Sequence, residues 1–348
     1  MRLSSRGLAA LLAAGLILIG AALWITSRAP SAGGTQAGKL LLPGLERTVN
    51  AITEVRLTAA NGKETTLEKH AEDWIVAERG FPADSGLVRK LLLDLAQVKI
   101  LETKTSDPAE YSVIGVENVT SKGATGTRID LIEPGKTLSL VVGSPSGDDA
   151  SFVRLAGAKA SLLVSPQIVP QADPKQWLYN SVINLPESRV QEVSVQVGKA
   201  PPYTATRASA EQPDFTIPDL PRGRQLSSLS AANAVANALA SFTLDDVHKP
   251  AGPQTYPDHA LFRTFDGLTV EVSGRKAGNS RYIELAARSA SKAAEAEARQ
   301  INARFGGWEL EILGYQYDAI FQPLEGLLKP LPATPKGKPA ARRARART

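Results

Sequence analysis

The chain says nearly the same thing twice, at a long period, and this constrains its fold more than any other feature. Ile52-Thr53-Glu54-Val55-Arg56-Leu57 opens one stretch and Val190-Gln191-Glu192-Val193-Ser194-Val195 opens another. Each leads to an aromatic in a strand-like run, Trp74-Ile75-Val76 and then Phe215-Thr216-Ile217. Each then enters a helical pattern, Leu87 to Val98 and Leu229 to Phe242. Further strands follow in both: Thr137 to Gly143 with Phe152 to Ala156, and Leu268 to Gly274 with Tyr282 to Ala286. A solenoid would repeat every 20–50 residues or so. The longer period predicts an α+β chain of two tandem repeated units, each an antiparallel sheet packed by one amphipathic helix.

The length of 348 residues holds about two domains of ordinary size. Apolar residues make up 43% and aromatics only 5%, so the cores rest on Leu, Val, Ile and Ala. Cysteine is absent, which excludes disulfides, thiolate metal sites and a Cys nucleophile. Of the net charge of +5, the last twenty residues supply +7 and the first 28 supply +3, leaving −5 on residues 29–328. The body is therefore mildly acidic, which argues against a nucleic-acid partner.

Gly7 to Thr26 is uncharged over twenty residues, enough to cross a hydrocarbon core of about 30 Å. Arg2 and Arg6 precede it, so the positive-inside bias places the N-terminus in the cytoplasm and the body outside. The expected localisation is the inner, cytoplasmic membrane, single-pass, with the bulk in the periplasm or otherwise extracytoplasmic. A signal peptide cleaved near Ala32 is the alternative, although a typical apolar region there is about 7–15 residues long. The expected organisation is an anchor over 1–28, a linker over 29–45, a first unit over 46–175, a connector over 176–188 and a second unit over 189–328. A disordered basic tail over 329–348, rich in Pro, Lys and Arg, completes it.

Within the first unit, Glu46 to Leu57 and Glu64 to Lys69 read as strands joined by a turn at Asn61-Gly62. The loop Phe81-Pro82-Ala83-Asp84-Ser85 supplies a candidate N-cap for a helix whose apolar stripe is Leu87, Val88, Leu91, Leu92, Leu95 and Val98. Gln176 to Pro186 reads as a short connector helix. Ser289 to Arg304, rich in Ala, Glu, Lys and Arg, reads as an inserted, solvated helix of the second unit.

No glycine-rich phosphate loop and no Walker pattern occur. His70, His248 and His259 lie singly and match no ligand spacing. Gly143-Ser144-Pro145-Ser146-Gly147 resembles a nucleophile elbow but carries Pro145 where the serine belongs. Asp148-Asp149 and Asp245-Asp246 are adjacent carboxylates without acid–base spacing, and read as solvated loop residues. Trp74, Trp177 and Trp308 read as core residues, with a carbohydrate- or peptide-stacking platform as the functional alternative. The chain is therefore expected not to be an enzyme, with no catalytic, cofactor-binding or metal-binding residue assigned.

Several of these residues, in their order and spacing, resemble the bacterial domain-of-unknown-function family 4340. They are Trp74 to Val76, Pro82 to Asp84, the Leu-rich helix, and Lys104 to Pro108 with Tyr111 and Gly115. Val142-Gly143, Phe152 to Arg154, Trp177 before Leu185-Pro186, and Gly307-Trp308 with Tyr317 complete the pattern. The resemblance implies a membrane-anchored extracytoplasmic protein, in some members an auxiliary subunit of ABC-type transport or gliding-motility systems. It carries no catalytic residue. The Arg-rich tail and the Ala/Glu insertion depart from the family pattern. The expected function is a non-enzymatic accessory or scaffold subunit of an ABC-type envelope transport complex, held by residues 7–26 in the lipid bilayer beside a permease. Binding of cell-wall or surface polysaccharide is the alternative.

Overall fold

The computed structural model describes residues 36–330. The anchor expected over 7–26 and the tail beyond Pro330 lie outside the described residues. Among the described residues, no helix is long and apolar enough to cross a membrane. The fold is α+β, dominated by large antiparallel sheets, and it divides between Tyr179 and Asn180 into two units.

Among the described residues, the first unit holds nine strands: β1 (Glu54–Ala59), β2 (Glu64–His70), β3 (Asp73–Val76), β4 (Phe81–Pro82), β5 (Lys99–Thr103), β6 (Thr127–Glu133), β7 (Lys136–Pro145), β8 (Ser151–Leu155) and β9 (Ser161–Ser165). They form one sheet in the order β4-β3-β2-β1-β6-β7-β8-β9-β5. The β1–β2 hairpin turns at Asn61-Gly62, where Gly62 has φ 84° and the Asn61 side chain accepts from the Lys63 amide. The loop is the three residues Ala60 to Gly62 closed by Gly62 in the left-handed region, and not the two-residue Asn-Gly turn. Alternation sets the buried face: Val55 and Leu57 on β1, Ile129 and Leu131 on β6, Leu140 and Val142 on β7 are all buried. The Ser85–Gln97 helix buries Val88, Leu91, Leu92 and Leu95.

Two expectations change here. Glu46 to Thr53 is not strand: Leu45–Thr48 forms a helical turn, followed by a 3₁₀ turn at Val49–Ala51. Gly44 at φ 90° starts that turn, and the Glu46 carboxylate accepts from its amide. The linker also ends earlier than residue 45. Leu41, Leu42 and Leu45 are buried, and the Gly38 and Leu41 amides donate to the carbonyls of Ile100 and Val98, so this segment covers the β5 edge.

The second unit holds β10 (Ser181–Ile183), β11 (Val190–Val197), β12 (Tyr203–Thr206), β13 (Phe242–Thr243), β14 (Asp246–His248), β15 (Asp258–Thr264), β16 (Leu268–Ala277), β17 (Ser280–Ser289) and β18 (Glu309–Ile312). β10 and β13 pair with each other, and the other seven form a sheet in the order β12-β11-β15-β16-β17-β18-β14. Seven of the nine strands in the first unit, β2-β1-β6-β7-β8-β9-β5, follow the same permutation of chain order.

The helices of the second unit depart from expectation. Leu229 to Phe242 contains only a short helix, Asn233–Ala236. The Asn233 side chain is diverted: it accepts from the Phe215 amide and donates to Pro213 O and Asp214 Oδ1. Asn residues compete with helical hydrogen bonding in this way. Ser241, at φ 49°, lies just before Phe242. The apolar residues Val235, Leu239 and Phe242 are buried nevertheless.

The helix that packs on this sheet is Lys292–Phe305, expected as solvated. It buries Ala294, Ala298, Ile301 and Phe305, a stripe at helical spacing. Asn302 ties it to β17 by exchanging two hydrogen bonds with the Ala287 backbone, at 2.8 and 2.7 Å. Arg189 bridges Glu297 on the helix and Asp266 in the β15–β16 turn, at 2.7 Å to each. Tyr317 and Phe321 pack over Gly274, where an added Cβ would lie 2.3 Å from the Phe321 ring. The expected connector helix is instead a 3₁₀ turn at Pro174–Trp177 and strand β10. Lys329, expected in the tail, donates its amide to Gln225 O.

Candidate functional site

The Ser85–Gln97 helix starts where Asp84 accepts from the amides of Gly86 and Leu87, at 2.8 and 3.2 Å. This cap satisfies two of the amides that the first turn leaves without a helical partner. After β9 the chain returns over residues 166–178. Ser151 holds Ile168 through both its amide and its carbonyl. Trp177 donates its indole N–H to Gln171 O at 2.7 Å, and its carbonyl accepts from the Asp84 amide. Between helix and return segment lies a cleft of ≈ 360 Å³, with Leu87, Leu91, Leu95, Ile168, Val169 and Trp177 as apolar lining. Leu87 is 42% exposed and Val169 61%. Lys90 and Asp94, paired at 2.5 Å, edge the cleft. Such a surface takes up apolar side chains inside a polar rim.

A second cluster lies in the second unit. Glu309, fully buried on β18, receives two hydrogen bonds from Arg275 on β16, at 2.5 and 2.6 Å. His248 Nε2 lies 2.9 Å from Oε2, and Tyr256 donates to Oε1 at 3.0 Å. The Tyr282 ring lies under the Arg275 guanidinium, 4.5 Å from it, and meets His248 edge-on. Burial alone would raise the Glu309 pKa. The Arg275 and Tyr256 hydrogen bonds and the nearby positive charge outweigh burial and hold the carboxyl below its ordinary value. Burial, with Glu284 and Glu309 close by, pushes the Tyr256 phenol up. Both carboxylate oxygens are engaged, from strands β14 and β16 and from the loop before β15, so the group acts as a clamp within the sheet.

The structure brings His248 to Glu309 and places the other histidines elsewhere. His70 ends β2 beside Glu68, 3.3 Å away, and His259 on β15 faces Ser273 Oγ at 3.3 Å. Asp149 accepts from Ser165 at 2.8 Å, and Asp246 accepts from the Val247 amide. Among the described residues, no group of three His, Asp or Glu side chains is arranged to hold a metal. Gly143 to Pro145 continues β7, and Ser146 closes the turn to β8 by donating its amide to Ala150 O. Trp74 and Trp177 are buried; Trp308 is half-buried with the Lys249 ammonium 5.0 Å from its ring. The Glu309–Arg275 pair is 34 residues apart in sequence, and only an acid in the short run Trp308-Glu309-Leu310-Glu311-Ile312 hinted at it.

Two sheet-based units, the first bearing an apolar cleft, define a protein of the α+β class. The chain belongs to the family described as Domain of unknown function (DUF4340), whose family model matches residues 74–260. That span runs from Trp74 on β3 to Ala260 on β15 and so draws on both units. No curated protein and no solved structure matches the chain.

Proposed function

We propose that this protein is a non-enzymatic, membrane-anchored extracytoplasmic accessory subunit that docks an ABC-type permease in the envelope. The observation that carries this reading is the cleft of the first unit. Its outward aliphatic residues, Leu87 and Val169, face solvent while Trp74 and Trp177 are buried. Exposed aliphatic surface edged by polar residues suits a protein partner. The uncharged stretch Gly7 to Thr26 after Arg2 and Arg6 supports a single-pass anchor with the body outside. A tether of this kind raises the effective concentration of the body at a membrane partner. The shared strand permutation supports reading the two units as copies of one ancestral domain.

The test is twofold. An activity reporter fused after Leu328 reads extracytoplasmic, and purification from detergent-solubilised membranes recovers a permease. A cytoplasmic reading, or recovery without any integral membrane protein, contradicts the proposal. The polysaccharide-binding alternative rests on Trp308 with Lys249 over its ring and on the exposed Tyr315. It predicts retention on immobilised wall polymer that Trp308→Ala abolishes.

A further inference from the structure

Arg154 on β8 is only 8% exposed. A desolvated guanidinium is costly unless a negative charge or a full set of acceptors meets it. Its Nε donates to Val116 O at 2.8 Å and its Nη2 to Asn118 Oδ1 at 2.9 Å, while Nη1 reaches Ala158 O only at 3.5 Å. The Tyr111 ring lies 4.9 Å away. These partners are dipoles and a ring face. Among the described residues, no carboxylate forms an ion pair with Arg154, and neighbouring Glu117 keeps a buried Oε2 without a hydrogen-bond partner. A guanidinium has five N–H groups. The three contacts leave one N–H on each terminal nitrogen, two donors from which an oxyanion can accept.

Arg154 lines a cleft of ≈ 320 Å³ together with Asn118, Thr120, Arg128 and Ser139. Arg128 is already matched: its Nε lies 2.9 Å from both oxygens of Asp130, and Ser139 also donates to that carboxylate. Asp130 is thereby spent on Arg128 and Ser139. The charge of Arg154 remains without a partner, beside the hydroxyl of Thr120 and the amide of Asn118.

We propose that this cleft binds a phosphate group, held end-on by the free Nη hydrogens of Arg154 with Arg128 and Thr120 at its rim. The site lies in the first unit and stands independently of the docking proposal. Phosphate offers more charge and more acceptor oxygens than a planar carboxylate, so the Thr120 hydroxyl can bond to one oxygen while Arg154 holds others.

The test is calorimetric titration of the full chain, in uncharged detergent at constant ionic strength, with inorganic phosphate, glycerol phosphate or acetate. The expected result is saturable one-site binding of phosphate that acetate does not match. Asn118→Asp is the decisive variant. It keeps the acceptor to Nη2 and supplies the missing charge, so it weakens phosphate binding about tenfold or more while raising the thermal midpoint of the first unit. Thr120→Val, at an exposed position of the lining, weakens binding with the fold intact. Glycerol phosphate binding as tightly as inorganic phosphate identifies an ester, such as a lipid headgroup, as the source; preference for inorganic phosphate identifies the free ion. No saturable phosphate binding, equal binding by Asn118→Asp, or acetate binding as tight as phosphate overturns the proposal.

Discussion

Replacing Glu309 by Gln tests whether the buried clamp holds the second unit together. The substitution keeps the shape of the side chain and removes its charge. It leaves Arg275, whose side chain is 19% exposed, facing an amide that offers one acceptor where the carboxylate offered two. Removing one partner of a buried ion pair costs about 3–5 kcal/mol, and the partial solvent contact of Arg275 places this case near the lower end. About 3 kcal/mol is roughly two decades in a local opening equilibrium. Hydrogen exchange resolved by peptide reads this directly. Protection across β14, β16 and β18 falls by about that factor, while β1, β6 and β7 of the first unit serve as an unchanged internal control. A paired replacement, Glu309→Leu with Arg275→Met, restores most of the protection, because exchanging a buried pair for apolar residues of similar volume is often neutral. Exchange in β16 and β18 unaltered by Glu309→Gln refutes the reasoning, since a pair that can be broken without cost clamps nothing.

Core truncation separates the units further. Leu92→Ala lowers the unfolding free energy of the first unit by about 2–5 kcal/mol and Leu239→Ala does the same for the second, both side chains being buried; denaturant titration followed by peptide-resolved exchange checks each. The pH dependence has a definite sign. Glu309 and Asp266 both have folded-state pKa values below the ordinary carboxylate range. In each, burial pushes the pKa up and is outweighed, at Glu309 by Arg275 and Tyr256 and at Asp266 by Thr264 and Arg189. Their stabilisation is complete above the unfolded value of about 4, and is lost as pH falls through the lower folded values. Stability of the second unit measured from neutral pH downward therefore declines below about pH 4–5, and Glu309→Gln makes that decline shallower.

The strands were legible because alternation survives folding. Leu268-Thr269-Val270-Glu271-Val272 points every second residue into the core, and the structure buries those residues. The Ser85–Gln97 helix was legible because its leucines fall on one stripe behind an Asp cap. The two helices of the second unit misled for opposite reasons. Leu229 to Phe242 has the right apolar spacing, but Asn233 spends its side chain on the 213–215 loop. Lys292–Phe305 looks solvated because alanines carry much of its buried stripe and charges surround them. The cleft was half visible. Leu87 belongs to the helix stripe, whereas Val169 enters through a return segment with no periodic signal. Pairings such as Glu309 with Arg275 depend on strand order, which residue spacing does not encode.

The apolar cleft of the first unit carries the proposed function, and site-specific photo-crosslinking in living cells tests it most directly. A photoreactive residue at Val169, inside the cleft, is compared with one at Leu229, which is 83% exposed and outside that lining. The account predicts a discrete adduct from Val169 whose partner is an integral membrane permease, and none from Leu229. No adduct from Val169, or the same partner captured from both positions, contradicts it.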